Sequence, residues 1–203
     1  MSSGIVHVID DDEALRDSVA FLLGAAGFSV RLYESAQSFL RQLSEIEPGC
    51  VLTDIRMPGM DGLELLRLLR ESGHALAVIV MTGHGDVPLA VRAMKLGAVD
   101  FVEKPFEDEL LIDTVEAALA AGAAPGAALV DEELASRVAT LSQREKQVLT
   151  GLVGGRTNKE IARQFDLSPR TVEVYRAKLM AKMQASNISE LVRFAMRAGV
   201  STG

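Results

Sequence analysis

At 203 residues, with 48% apolar content and a formal net charge of −7, the chain has material for one large or two modest cores, which excludes a disordered polypeptide. Its apolar stretches are too short and too interrupted to span a bilayer, and its opening residues lack a basic segment followed by an apolar one, so a cytoplasmic protein without membrane contact is expected. A single cysteine leaves no internal disulfide, and His7, His74 and His84 show no metal-ligand spacing.

Ile5 to Ile9 reads as a buried strand that ends in Asp10-Asp11-Asp12. Ala14 to Leu23 carries Leu15, Val19, Leu22 and Leu23 at helical spacing, and Gly24 to Gly27 ends it. Ser29 to Tyr33 predicts a second strand, and Ser35 to Leu43 a second helix with Phe39, Leu40 and Leu43 facing inward. Pro48-Gly49 turns the chain into the strand Cys50-Val51-Leu52-Thr53-Asp54, where Cys50 is a small core residue. Beyond it, Met57-Pro58-Gly59-Met60 makes a turn and Asp61 caps a helix through Leu63, Leu66, Leu69 and Arg70. Ala77 to Met81 is a fourth strand ending in Thr82, followed by the Gly83-His84-Gly85 loop and a helix from near Asp86. Val99 to Glu103 is a fifth strand leading to Lys104-Pro105, and Phe106 to Leu119 a last helix of this half.

Strand alternating with helix implies a doubly wound α/β fold on a five-stranded parallel sheet, whose crossovers put every strand's C-terminal end on one edge. Ligands of open parallel sheets bind at that edge. Asp10, Asp11, Asp54, Thr82 and Lys104 therefore converge, although singly each has an ordinary reading as a loop cap or surface charge. Three neighbouring carboxylates repel unless a cation sits among them, and a hard oxygen set suits Mg2+, which is held by one or two carboxylates and a phosphoryl oxygen. A carboxylate beside Mg2+ can take up a phosphoryl group as an acyl phosphate, with Lys104 neutralising its oxygens and the Thr82 hydroxyl following it. No Gly-x-x-x-x-Gly-Lys-Ser/Thr occurs, which disfavours a nucleotide cofactor.

Ala120 to Ala128, small and uncharged and broken by Gly122, Pro125 and Gly126, has the composition of a linker. It separates two halves of opposite charge: residues 1–121 hold 9 Lys+Arg against 20 Asp+Glu, net −11, whereas from Arg137 onward the count is 12 against 5, net +7. The basic half can approach a polyanion. It reads as all helix: a short helix over Asp131 to Leu141, then capping boxes at Ser142-x-x-Glu145 and Thr157-x-x-Glu160. Leu167-Ser168-Pro169 opens a helix from Arg170 to about Met183, and Asn187 caps a final one. Two short helices joined by a tight turn at 166–168 match a helix-turn-helix. Val172, Tyr175, Leu179 and Met183 make its inward stripe; Arg170, Glu173, Val174, Ala177, Lys178 and Ala181 lie opposite.

Ile-Asp-Asp-Asp near the start, Thr-Asp-Ile-Arg-Met-Pro-Gly-Met-Asp-Gly at 53 to 62, Met-Thr-Gly-His-Gly-Asp at 81 to 86 and Phe-Val-Glu-Lys-Pro-Phe at 101 to 106 resemble the receiver domain of bacterial two-component response regulators. Leu-Ser-x-Arg-Glu, Gly-x-x-Asn-Lys-Glu-Ile-Ala and Leu-Ser-x-Arg-Thr-Val-Glu are similar to the helix-turn-helix signature of the LuxR-type, FixJ/NarL family. This resemblance implies a receiver over 1–121 with strand order 2-1-3-4-5, a linker with a short helix over 122–140, and an all-α four-helix DNA-binding domain over 141–203. It further implies that Asp54 takes phosphate from a sensor histidine kinase, that Asp11, Asp54 and the Arg56 carbonyl bind Mg2+ with Asp10 helping through water, and that Thr82 and Phe101 form the switch pair.

Phe101 stands where many receivers have tyrosine, so it can report the switch only by moving between buried and exposed positions. Val91, Arg92 and Lys95 are then the expected surface for a homodimer formed on phosphorylation, with acidic Asp100 and Glu103 as partners across a two-fold axis. On double-stranded DNA, Glu173 can accept from cytosine N4 and Val174 touch a thymine methyl in the major groove, with Arg170 and Thr171 beside them. Thr157, Lys159, Arg176, Lys178 and Lys182 are expected at phosphates. RNA polymerase is the expected downstream partner, and the output expected is activation, with nitrogen-fixation or microaerobic genes as targets. An aspartate-nucleophile phosphatase is the alternative, disfavoured because Asp54-Ile55-Arg56 has no second acid two residues on to protonate a leaving group; a phosphate-independent adaptor is the third reading. No enzyme is expected.

Overall fold

The structure, a computed structural model, describes residues 4–74, 76–83, 87–121, 132–186 and 188–200. The loop at His84, the linker beyond Ala121 and the Asn187 cap lie outside the described residues. The chain divides into two compact units.

The first unit is a sheet of β1 (Ile5–Ile9), β2 (Ser29–Tyr33), β3 (Cys50–Asp54), β4 (Ala77–Thr82) and β5 (Asp100–Glu103). Their order is β2-β1-β3-β4-β5, and every neighbouring pair is parallel. All residues of β3 and β4 are buried, as continuous apolar runs must be when helices cover both faces of a parallel sheet. The edge strand β2 has only Tyr33 buried. Interleaved with the strands are α1 (Glu13–Ala25), α2 (Ala36–Leu40), α3 (Gly62–Glu71), α4 (Val87–Lys95) and α5 (Asp108–Ala121). Val6, Val8, Leu52, Ile79 and Met81 pack with Val19 and Leu23 of α1 and Leu111 and Val115 of α5 in one hydrophobic core.

Two helices differ from the pattern read in the sequence. α2 stops at Leu40 and is followed by a single 3₁₀ turn, Leu43–Glu45. The chain must already be extended at Ile46 to enter the Pro48-Gly49 turn, and the tighter i to i+3 bonding ends the helix early. Leu40 and Leu43 are consequently only half-buried. α5 begins at Asp108 rather than Phe106, leaving Phe106 to pack on the core from an irregular segment.

Local chemistry fixes where the helices begin. Asp12 caps α1 by accepting from the amides of Ala14 and Leu15, and Asp61 caps α3 by accepting from Glu64. Gly62 has a further reason to lack a side chain: a Cβ there would collide with the main-chain oxygen of Asp54. Its amide instead donates to the Ile55 carbonyl at 3.0 Å, so the β3–α3 loop closes tightly over the strand end.

The second unit consists of α6 (Glu132–Ala139), α7 (Gln143–Val153), α8 (Asn158–Phe165), α9 (Pro169–Met183) and α10 (Ile188–Arg197). Both expected capping boxes form, at Ser142/Glu145 and Thr157/Glu160, and Ser168 caps α9 with Pro169 in its first turn. Asp166 takes the left-handed conformation, φ 53, which turns the chain sharply between α8 and α9. At Gly151 an added Cβ would lie 2.7 Å from Ile161 Cγ1, so the missing side chain lets α7 and α8 cross closely. Val148, Leu149, Ile161, Val172, Leu179, Met183, Leu191 and Val192 form the buried centre.

Candidate functional site

At the C-terminal edge of the sheet, the ends of β1, β3 and β5 bring three charged side chains together. The Lys104 ammonium donates to Asp54 Oδ1 at 2.5 Å and to Asp10 Oδ2 at 2.7 Å, bridging residues 94 and 50 positions away in sequence. Asp10 is 1% exposed and Asp54 7%. The remaining oxygens are also satisfied: the Asp12 amide donates to Asp10 Oδ1 at 2.9 Å, and the Arg56 amide to Asp54 Oδ2 at 2.6 Å. The Asp10 main chain is held on both sides, its N–H by the Tyr33 carbonyl and its carbonyl by the Arg16 guanidinium at 2.7 Å. The Lys104–Pro105 bond is cis.

One ammonium serves two carboxylates, and the electrostatics reflect the shortfall. Burial pushes the Asp54 carboxyl above its usual pKa, and the neighbouring Asp10 charge adds to this; the Lys104 bonds and the Arg56 amide pull it back only in part. Burial alone would lower the Lys104 pKa, but its bonds to Asp10 and Asp54 outweigh that and raise it, so the ammonium stays charged.

The donor set is hard oxygen throughout, and a second positive charge would relieve Asp54, so the residues fit Mg2+. Among the described residues no three His, Cys, Asp or Glu side chains already stand together as a ligand group. Asp11, exposed on the next residue, is the third acid the chain places at this edge, but it takes no part in the Lys104 bridge. Thr82 is buried in β4, its hydroxyl donating to the Gly83 carbonyl at 3.3 Å.

Phe101, paired with Val80 in the sheet, is 2% exposed: the structure holds the buried one of the two positions expected for it. On α4, Arg92 and Lys95, two of the three residues expected at a surface for a second copy, are exposed.

In the second unit, α9 presents Arg170, Glu173, Val174, Ala177, Lys178 and Ala181 to the outside, and Val174 is 51% exposed despite its apolar side chain. Val172, Leu179 and Met183 are buried as expected; Tyr175 is only half-buried, with Lys178 Nζ 5.8 Å from its ring centroid. Three of the residues expected at phosphates have hydrogen-bond partners within this unit. Lys182 donates to the buried Glu145 at 2.7 Å, the Arg176 guanidinium donates to Asn158 at 2.9 Å, and the Thr157 hydroxyl donates to Glu160 at 2.8 Å. The reason is the same in each case: a cap or a helix-helix seam leaves a polar group short of a partner, and the nearest side chain supplies it. Thr171 shares a 2.8 Å hydrogen bond with Ser168, and Lys159 is exposed. The Glu145 carboxyl is held down at about 2 by the Lys182 bond and the Ser142 amide.

Arg16 and Asp12 escape sequence reasoning as pocket or scaffold residues, and so does the bond from Lys182 to the capping Glu145. The Arg16 signal is its position one helical turn after the capping Asp12, which folds it back on the strand end.

Comparison with known proteins covers both units. The family described as "Response regulator receiver domain" matches residues 6–116, and that described as "Bacterial regulatory proteins, luxR family" matches residues 139–195. The transcriptional regulatory protein FixJ of Bradyrhizobium diazoefficiens is 56% identical over 200 residues, covering 98% of both chains. That of Azorhizobium caulinodans is 55% identical, covering 97% of this chain and 93% of the other. Among solved structures, full-length FixJ from B. japonicum aligns over 98% of each chain at 56% identity with a TM-score of 0.58.

Proposed function

The chain belongs to the two-component response regulators that join a receiver domain to a LuxR-type DNA-binding domain, and on that footing we propose that phosphorylation of Asp54 by a sensor histidine kinase controls its binding to double-stranded DNA. It is a transcription regulator, not an enzyme. The observation that carries the proposal is the Lys104 bridge, which gathers Asp10 and Asp54 at the sheet edge and keeps a positive charge beside the nucleophile.

In the proposed transfer, Asp54 Oδ1 forms the new O–P bond as the N–P bond of the kinase phosphohistidine breaks, and the imidazole departs with that electron pair. Lys104 exchanges its carboxylate contact for the phosphoryl oxygens. Arg56 N–H keeps the second Asp54 oxygen oriented. Mg2+, held by Asp10, Asp11, Asp54 and the Arg56 carbonyl, would neutralise charge on the transferred group.

Charge arriving at Asp54 draws the Thr82 hydroxyl away from the Gly83 carbonyl, which biases β5 and the exposed face of α4 toward a homodimer through Arg92 and Lys95. The DNA-binding domain, residues 141–203 after a 122–140 linker, then reads the major groove with Arg170, Glu173 and Val174, while Lys159 and Lys178 meet phosphates. Recruitment of RNA polymerase and activation of nitrogen-fixation or microaerobic genes extend the same reading.

The test is incubation of the full chain with Mg2+ and a small acyl phosphate. One equivalent retained, and none in Asp54→Ala, is the expected result. Continuous turnover of the donor would make the protein a phosphatase, and no uptake at all would make it a phosphate-independent adaptor.

A further inference from the structure

Arg16 sits on the first turns of α1, half-buried, with Glu13, Asp17 and Glu34 lining the same open recess of about 360 Å³. A surface guanidinium amid three carboxylates ordinarily pairs with one of them. Arg16 does not: among the described residues its one recorded partner is a main-chain oxygen, the carbonyl of Asp10, at 2.7 Å. That carbonyl belongs to the residue whose side chain is bridged to Asp54 through Lys104.

The surrounding bonds show what this contact controls. Asp10 is fixed at its N–H by Tyr33 of β2, at Oδ1 by the Asp12 amide and at Oδ2 by Lys104. Asp12 in turn starts α1 through the Ala14 and Leu15 amides. Among the described residues no other bond ties the peptide between Asp10 and Asp11, and Arg16 holds its oxygen. Without that tie the peptide is freer to rotate, which would change how the exposed Asp11 stands relative to the buried Asp10.

We propose that Arg16 is a positioning residue for divalent-cation binding: it acts through the Asp10 carbonyl to set the angle at which the Asp10-Asp11 turn offers its oxygens. This rests on the reading of the acidic pocket as a Mg2+ site. Residues that orient metal ligands typically change affinity by roughly 10- to 100-fold when removed. Lysine can return the charge and one donor but not the planar fork, so it restores only part of the effect.

The test uses Mn2+ as the probe, with free ion followed by electron paramagnetic resonance on the full-length protein. Its variants are Arg16→Met, which keeps the apolar stem, and Arg16→Lys. Val19→Ala, a buried truncation on the same helix, is the control for lost stability. Expected are a Kd raised about tenfold in Arg16→Met and less in Arg16→Lys, with Val19→Ala binding as wild type even where its metal-free thermal midpoint is the lower. Unchanged affinity in both Arg16 variants overturns the inference, and so does weakening in Val19→Ala that matches Arg16→Met at equal loss of midpoint. Should Arg16→Met not fold, Arg16→Lys against Val19→Ala decides in the same way. Wild type that takes up no Mn2+ sinks the pocket reading and this inference together, whereas wild-type binding shared by the Arg16 variants sinks the inference alone.

Discussion

Lys104 is the residue on which the acidic pocket depends, because its one ammonium bridges two buried carboxylates. Lys104→Ala should cost about 1–3 kcal/mol, more than either carboxylate's replacement by its amide, since it leaves two buried carboxylates without the opposite charge that bridges them. Calorimetric melts of the full chain would show the receiver transition fall, and added Mg2+ should recover part of the loss in this variant and less in wild type. Glu145 poses the mirror-image case. Its carboxyl is depressed to about 2 by Lys182 and by the capping amide of Ser142, against an ordinary 4.5. A depressed carboxylate contributes its full stabilisation above the unfolded pKa and loses it as the pH falls through the folded one, so the window lies between about 4.5 and 2. Glu145→Gln should be less stable than wild type at neutral pH, and the difference should shrink on acidification through that window; a constant difference would refute the pairing. At this scale Asp10, Asp54 and Lys104 are legible in the sequence because strand ends share an edge whatever the details of packing. The engagement of Lys182 is not, because the choice of partner is decided by tertiary neighbours.

Among the elements, the helix starts are the best-read features, for a physical reason: a Ser or Thr followed by an acid three residues later satisfies orphan amides locally, as Ser142 and Thr157 do, while Ser168 caps α9 ahead of a proline in its first turn. The early end of α2 escapes the same reading, since it depends on where the chain must go next rather than on its own apolar spacing. The α7–α8 crossing supplies a prediction of its own. Gly151→Ala puts a methyl against Ile161 Cγ1, and overpacking of this kind costs about 1–3 kcal/mol. Because α8 carries the turn into α9, the substitution should weaken DNA binding in a mobility-shift assay even at temperatures where the domain remains folded, and Ile161→Val in the same chain should restore part of it.

For the whole molecule, the separation of charge, −11 over residues 1–121 and +7 from Arg137 onward, predicts how binding responds to salt. Each phosphate contact contributes roughly −0.9 to the slope of log affinity against log salt. Lys159→Ala should flatten that slope by about one such step with little change in sequence preference, while Lys182→Ala should lower stability and leave the slope near wild type, as its ammonium is spent on Glu145. Equal slopes for wild type and Lys159→Ala would remove Lys159 from the interface. The order of the sheet carries one last consequence. β3 is its middle strand, β4 lies next to it and β5 is outermost, with Thr82 in register beside Glu103. Neighbouring strands lie roughly 4.8 Å apart, so a disturbance at Asp54 need travel only about 10 Å sideways to reach the rim, although a strand and two helices of chain lie between. The path is short and runs through rigid backbone rungs, and a message so carried has few places in which to dissipate.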